Sequence, residues 1–546
     1  MGIKKIVFGM GAIAVAGLLL AACGAQNSAD TSTKVDTAEL KPYGKYKEPI
    51  TFTIGKQQRD RSSLFKGDTI NNNPATRYLK QETNISVKIA WEAADFPQKV
   101  SLVMSTQDLP DVMGVYQDQF TQLANNDLLA DLTEVYKKAA SPTVKKNMSS
   151  YSQNMIKIAS RDGKLLGIPS PYPYGEENML WIRKDWLDKV GLPVPETLDD
   201  VENAAKTFIA KDVSGTGKTM GITLTPQISG HDGAQMDGDL WFNQFNAFPS
   251  SMIKKDGKVV YGSIQPETKQ TLTMLARWYK EGLIDKEFAT RTDDEKKALL
   301  AKQMGIYVAP FWGLDFTNSY EADKNANWIA ILPVLKKGDK FISTHPAPVF
   351  RYIVVKKGYK HPEAVMRAIN NVVDFNESRG SANAFRRAEA KKAGQPAVSL
   401  SWLLDPIDVQ ITNAHSTDSV TMDKALKNND PSGLKDSQIN SYSLIKAYMD
   451  HKDRKGLETY LASQVGAKTA NSKNVTFIDK AFYGQTKAMT QMGPNLQKLE
   501  NEAFIKIIMG QAPISSFDTY VKQWKAQGGD TIVKEVQDAV DKGQVQ

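Results

Sequence analysis

The run Gly215-Thr216-Gly217-Lys218-Thr219 ends as a phosphate-cradling loop does, where backbone N–H groups and a lysine hold a nucleotide's phosphates. The first glycine that such a loop requires falls at Asp212, so the pattern is broken. Five histidines (His231, His345, His361, His415, His451) stand far apart, with no HExxH spacing and no cysteine partner, so no metal site is expected. Asp237 and Asp239 are close, but the carboxylate pairs of glycoside hydrolysis are set by distance in space, and a two-residue gap carries little information. No Gly-x-Ser-x-Gly elbow occurs. The single thiol, Cys23, lies at the end of an apolar run, where a nucleophile has nothing to act on. Catalysis therefore has no positive sign in the residues, and no cofactor is expected.

Cys23 has a different chemistry. Lys4 and Lys5 precede the apolar run Ile6–Ala22, which is short and Gly-rich for a membrane span and has the layout of a secretory leader. Leu20-Ala21-Ala22-Cys23 then matches a bacterial lipobox, in which the thiol takes a diacylglyceryl group and the leader is cut just before it. Two or three acyl chains exceed what stable anchoring requires. A chain with one cysteine builds no disulfide framework, and lipidation leaves no free thiol in an oxidising exterior.

The elements behind these residues follow from pattern. Ile50, Phe52 and Ile54 alternate as a half-buried strand; a helix opens at Asn73-Pro74; Ile85, Val87 and Ile89 alternate again. Strand–helix–strand implies parallel pairing and an α/β lobe. Asp95 can cap a helix through Val100, Val103 and Met104, and "PDVMGVY" supplies a further strand. Thr197 with Asp200, and Thr292 with Glu295, make capping boxes; "GIYVAPFWG" reads as a strand; three helices close the chain, punctuated by Gly510 and Gly528-Gly529. The length exceeds what one core holds, so two lobes are expected. The net charge of +8 is spread without a basic block, which argues against nucleic-acid binding and fits weak attraction to an anionic envelope. The polar stretch from Ala25 to about Lys47 reads as a flexible tether.

Several stretches resemble the bacterial extracellular solute-binding protein family 1, the lipoprotein components of sugar ABC importers. They are "GKLLGIPSPYPYGEENMLWIRKDWLDKVGLPVPETLDDVENAAKTF" (Gly163–Phe208), "DLPDVMGVY" (Asp108–Tyr116), "WYKEGLIDKEFAT" (Trp278–Thr290) and "YKHPEAVMRAINNVVD" (Tyr359–Asp374). The C-terminal "KIIMGQAPISSFDTYVKQWKAQGGDTIVKEV" is similar to the longer branch with LipO-type and alginate-binding lipoproteins. The resemblance implies an α/β, two-lobe periplasmic-binding-protein-like clamshell (type II), each lobe a three-layer α/β sandwich, with extra C-terminal helices. It would close on an oligosaccharide and deliver it to permease subunits in the membrane, as a monomer on the outer face of the cytoplasmic membrane. By that analogy 1–22 is the leader, 23–47 the lipidated tether, 48–169 plus 350–385 the first lobe, and 170–349 plus 386–546 the second. Some relatives carry an acidic calcium loop after the Pro-x-Thr helix; here "KDVSGTGKT" has Asp212 as its only carboxylate, too few for a hard cation.

Sugar recognition uses flat apolar rings against pyranose C–H groups and planar polar groups for hydroxyls. Trp186 and Trp278 have core spacing, and Trp181 reads as a strand residue near the hinge. Trp241 and Asp237 lie in the polar, aromatic-rich stretch His231–Pro249, and Trp312 follows a strand end that faces a cleft in α/β folds. Tyr172 and Tyr174 sit at the expected hinge crossing. Arg59 and Asp60 follow the first strand, Tyr116 ends the third, Arg351 begins the return crossing with a fork for hydroxyls or a carboxylate, and Trp402 completes the set. A peptide receptor would instead need a charged end-binding group, for which Arg351 and Arg59 are the visible choices. A surface glycan-active enzyme would need a carboxylate pair or a metal in the cleft.

Overall fold

The alternation of Ile50, Phe52 and Ile54 forms β1 (Ile50–Gln57), with Phe52 and Ile54 fully buried. The computed structural model describes residues 37–543 apart from 59–60, 62–63, 152–153, 172–177, 231–234, 314, 395–403, 405–406 and 413. The helix Pro74–Thr83 and β2 (Ile85–Ala93) follow, and β2 pairs with β1 in parallel. Asn73 starts that helix: its Oδ1 accepts from the N–H groups of Ala75 and Thr76, and Thr76 Oγ1 accepts from the N–H of Asn73. Pro74 takes a first-turn position that has no N–H to satisfy. Asp95 caps the helix Phe96–Ser105 through the N–H of Gln98, and β3 (Val112–Val115) pairs in parallel with the other side of β1.

After β3 come β4 (Ile168–Pro171), β5 (Met179–Arg183), β6 (Ile306–Ala309), β7 (Trp328–Ile331) and β8 (Val349–Val355), divided between two sheets. The first sheet has the order β2-β1-β3-β8-β4, with β8 antiparallel to both β3 and β4. Thus β4 is its last strand before the chain departs, and β8 brings the chain back. The second sheet is β6-β5-β7, antiparallel throughout.

Each sheet lies in its own core. Phe52, Ile54, Val112, Val115, Ile353 and Val355 pack with the helix Pro362–Asn376, which buries Val365, Ile369 and Val372. In the second sheet both faces are covered, so β5 is buried along its whole length. Leu180 and Ile182 meet Trp186, Val201, Phe208 and Trp278 on one face, while Met179 and Trp181 meet Tyr307, Phe316 and Trp328 on the other. The capping boxes at Thr197–Asp200 and Thr292–Glu295 both form.

Two boundaries differ from the sequence expectation. The stretch that reads as tether is already docked from Thr37 on. Arg367, fully buried, donates to the backbone oxygen and carboxylate of Glu39 and to Gly44 O, and Asn370 Nδ2 donates to Pro42 O. Nor does the chain leave the first core at 386: Ala382, Leu404, Ile407 and Val409 all belong to it. Asn147 Nδ2 holds Val409 O at 2.8 Å, and Ser170 Oγ holds Asp408 O at 2.8 Å. Both segments are held in part through their backbone carbonyls, which leave no mark in the side-chain pattern.

The helices Lys487–Ile508, Ser516–Trp524 and Asp530–Asp541 add Phe504, Ile508, Tyr520, Trp524 and Val536 to the second core. Their anchor is Glu500, a buried carboxyl that accepts from Ser250 Oγ (3.0 Å), Tyr261 Oη (2.8 Å) and Tyr520 Oη (3.1 Å). Burial pushes its pKa up, against the lowering effect of these hydroxyls. A carboxyl raised in the fold contributes stability that is full below its unfolded pKa and is lost as pH rises through the folded value. Glu500→Gln keeps an acceptor without the charge. It is expected to flatten the loss of stability as pH rises above the ordinary carboxylate range. Glu500→Ala, which orphans the hydroxyls, is expected to cost roughly 1–3 kcal/mol or more at both ends. Denaturant melts of the three proteins decide this, and a Gln variant as weak as the Ala variant at neutral pH would refute it.

Candidate functional site

The carboxyl ends of β1, β3 and β4 and the beginning of β8 share one edge of the first sheet, the edge at which α/β folds place their ligands. Two β-bulges re-aim side chains there. Between β1 and β2 the register steps from Ile54–Ile89 to Gly55–Trp91, leaving Ala90 as the extra residue. Between β8 and β4 it steps from Val349–Pro171 to Arg351–Ser170, leaving Phe350 as the extra residue. The Trp91 indole lies across Gly55 so closely that a Cβ at that position would stand 2.2 Å from the ring. Only glycine admits it.

The rings form a row. Trp91 meets Phe96 at 5.8 Å between centroids, Phe96 meets Tyr116 edge-on at 6.1 Å, and Tyr116 meets Phe350 edge-on at 6.0 Å. Phe96 is the buried base; Trp91 and Tyr116 are half-buried, and Phe350 is 37% exposed. Among them lies Arg351, only 1% exposed. Its guanidinium is 4.8 Å from Phe350, 5.2 Å from Tyr116 and 5.4 Å from Phe96, and it donates to Gln57 Oε1 at 2.9 Å and Tyr116 Oη at 3.2 Å. The expectation that Arg351 forks onto a ligand is corrected: its described donors are turned into the wall, where rings and acceptors offset the cost of burying a cation.

A second wall stands at the carboxyl end of β6. Trp312 follows β6 and is 50% exposed, as its strand-end position predicts. Asn178, just before β5, donates to Asp237 Oδ1 at 2.8 Å, and the Asp239 N–H donates to the same oxygen at 3.2 Å. Asp237 is fully buried, as befits a carboxylate held by amide and backbone donors. Trp241 is a second correction. It is wholly buried in the second core, its ring edge-on to Trp278 at 5.3 Å, so no face is open to a ligand. The polarity of its neighbours belongs to the short helix Asp239–Asn243, which turns Leu240, Trp241 and Phe242 inward.

Beside these walls is a cavity of about 540 Å³. The first core contributes Asn147, Glu377 and Asp408, the helices Ala414–Asn428 and Asp436–His451 contribute Met422 and Gln438, and Phe311 joins it to the Trp312 end of β6. Asp408 O takes the hydrogen bond from Ser170, the β4 residue in register with Arg351, so the cavity adjoins the strand pair that links the cores. Cys23, Arg59, Asp60, Tyr172, Tyr174 and Trp402 lie outside the described residues.

Trp91 and Phe350 were missing from the sequence-based set. A tryptophan next to the second strand and an aromatic beside Arg351 were visible, but the bulges that aim them were not. Asp212 accepts from Thr219 Oγ1 (2.6 Å) and the Gly217 N–H (2.7 Å), and these bonds hold its pKa below the ordinary carboxylate range. That loop is closed by its own donors. Among the described residues no group of three or more His, Cys, Asp or Glu is placed to hold a metal ion, and no helix is long and apolar enough to cross a membrane.

Comparison with known proteins gives the fold and site a context. The chain is 24% identical over 476 residues to lipoprotein LipO of Bacillus subtilis (strain 168), covering 85% of this chain and 88% of that one. It is 20% identical over 483 residues to the polygalacturonan/rhamnogalacturonan-binding protein YtcQ of the same organism, covering 85% and 87%. Among solved structures, the alginate-binding protein AlgQ2 without calcium ion superposes with a TM-score of 0.61 at 17% identity, over 92% of this chain and all of that one. The S. pneumoniae ABC-transporter substrate-binding protein FusA in complex with kestose does so with 0.58 at 16%, over 90% and 99%. The family model described as bacterial extracellular solute-binding protein matches residues 67–374, more than half of the sequence, and the chain belongs to that family.

Proposed function

We propose that this chain is the lipid-anchored, extracytoplasmic substrate-binding component of an ABC importer, that it captures an oligosaccharide between its two cores, and that it delivers it to permease subunits in the membrane. The observation that carries the sugar reading is the row Trp91–Phe96–Tyr116–Phe350 at the strand ends of the first sheet, with Trp312 exposed beyond a strand end of the second. Rings half open to solvent, backed by amides and a buried guanidinium, suit stacking on the apolar face of a pyranose or furanose ring while polar groups take its hydroxyls. Tyr116 and Trp312 are the platforms, while Asp237, expected from sequence to meet the ligand, is fully buried and held by Asn178 and the Asp239 N–H. The names of FusA, a fructooligosaccharide-binding component, of YtcQ and of AlgQ2 support a glycan as cargo. The lipobox at Cys23 supports the anchor. Transport energy belongs to the partner, so the chain works as a monomeric receptor without turnover.

A thermal-shift series with kestose, an oligogalacturonate, an alginate oligosaccharide and a peptide pool tests this. At a hundred times Kd a ligand adds about 2.7 kcal/mol, so one glycan is expected to raise Tm measurably, with no product on chromatography. A shift with peptides alone, or glycan cleavage over time, would overturn the reading.

Trp312→Ala is expected to weaken that glycan roughly tenfold with little change in Tm, because the lost ring is half exposed. Gly55→Ala is expected to weaken it as much while also lowering Tm, because the new Cβ evicts Trp91. Titration calorimetry beside the melts separates the two; unchanged affinity in either variant removes that ring from the site.

A further inference from the structure

We propose that Arg351 is a positioning residue that fixes the ring of Tyr116 and the amide of Gln57 in the orientation a glycan meets, and that it does not serve as the ligand for a glycan's charge. The glycan part of this inference rests on the function proposed above.

Gln57 ends β1, Tyr116 follows β3, and Arg351 lies near the start of β8, so one side chain ties the ends of three strands. The two contacts differ in kind: an amide oxygen at 2.9 Å and a phenol oxygen at 3.2 Å. One nitrogen, Nη2, donates to both while the planar guanidinium offers its flat faces to rings, whereas the ammonium of a lysine is a compact, more strongly hydrated charge. Three rings lie within 5.4 Å of its central carbon.

The bulge at Phe350 is the second observation. Side chains alternate between faces along a regular strand, so adjacent residues diverge. The extra residue breaks that alternation, and the Phe350 ring comes to 4.8 Å from the guanidinium of its own neighbour. Phe350, the most exposed ring of the row, thus lies against Arg351, and the cation is 1% exposed. A charge placed to meet an acidic sugar would be open on the ligand side. This one is buried, and the exposed group beside it is an aromatic ring.

The test has a part that needs no ligand. Hydrogen exchange of the full-length mature protein is followed in Arg351→Met and Arg351→Lys. Peptides covering Gly55–Gln58 and Gly114–Gln117 are expected to lose protection in the Met variant, with a smaller loss in the Lys variant, while Ile85–Ile89 keeps its own. Unchanged exchange at both strand ends refutes the proposal. The second part takes whichever of kestose, trigalacturonate or an alginate oligosaccharide the wild type binds, and measures Kd for Arg351→Met, Tyr116→Phe and the double variant. A positioning role acting through the phenol predicts that Arg351→Met weakens binding roughly tenfold, and that the double variant is no weaker than the worse single one. Additive losses, or loss of the acidic glycans with kestose retained, would make Arg351 a direct charge ligand and overturn the proposal. If the wild type binds none of the three glycans, the sugar reading falls, and the exchange result still decides the role of Arg351.

Discussion

The pairing of β4 with β8 is the constraint on which the rest of this structure depends. β4 is the strand from which the chain leaves the first sheet, β8 is the strand by which it returns, and the two lie hydrogen-bonded side by side. Because β8 runs against its neighbours, its first residues reach the edge where β1, β3 and β4 end. Two of the segments joining the two cores are therefore continuous with the edge that carries the aromatic row. Any rotation of one core against the other bends residues directly continuous with Phe350 and Arg351.

That coincidence explains why the edge is built so stiffly. Edge residues on strand ends have few main-chain partners, and their side chains keep rotamer freedom that a ligand would have to remove. Here Gly55 gives up its side chain so that Trp91 can lie flat across it, and Arg351 gives up its hydration so that Gln57 and Tyr116 are held. Both choices cost stability locally. Both also reduce what a ligand must order when it arrives, which is where affinity is lost in loosely organised sites.

Most of the framework could be read from pattern. The alternation at Ile50–Ile54 and Ile85–Ile89, the capping residues Asn73, Asp95, Thr197 and Thr292, and the three C-terminal helices all stand where spacing puts them, because periodicity and capping are local. Tyr116 and Trp312 stand just beyond strand ends, one and three residues on, where the same logic puts them. Trp91 and Phe350 were not, since a bulge is a disagreement between two strands and neither strand carries it alone. Trp241 was misread for the opposite reason: its neighbours are polar, but a helix of one turn and a half buries one face whatever the other carries. Arg351 had the right position and the wrong direction. Its burial beside the Phe350 ring, displaced by the bulge, is what neither strand's pattern carries.

The two walls are unlike, and the difference bears on how capture proceeds. On the first, Phe96, Tyr116, Phe350 and Arg351 restrain one another before any ligand is present. On the second, Trp312 is half open while Asp237, fully buried, is fixed by Asn178. A surface already ordered gives up little entropy on contact, so it is the natural first partner; a half-exposed indole gains most when a second surface closes over it. The order of events follows from that asymmetry. On the function proposed above, the ligand would settle on the ring row and closure would then bury Trp312. The strand pair that must bend for closure is the one whose first residues already touch the ligand's platform.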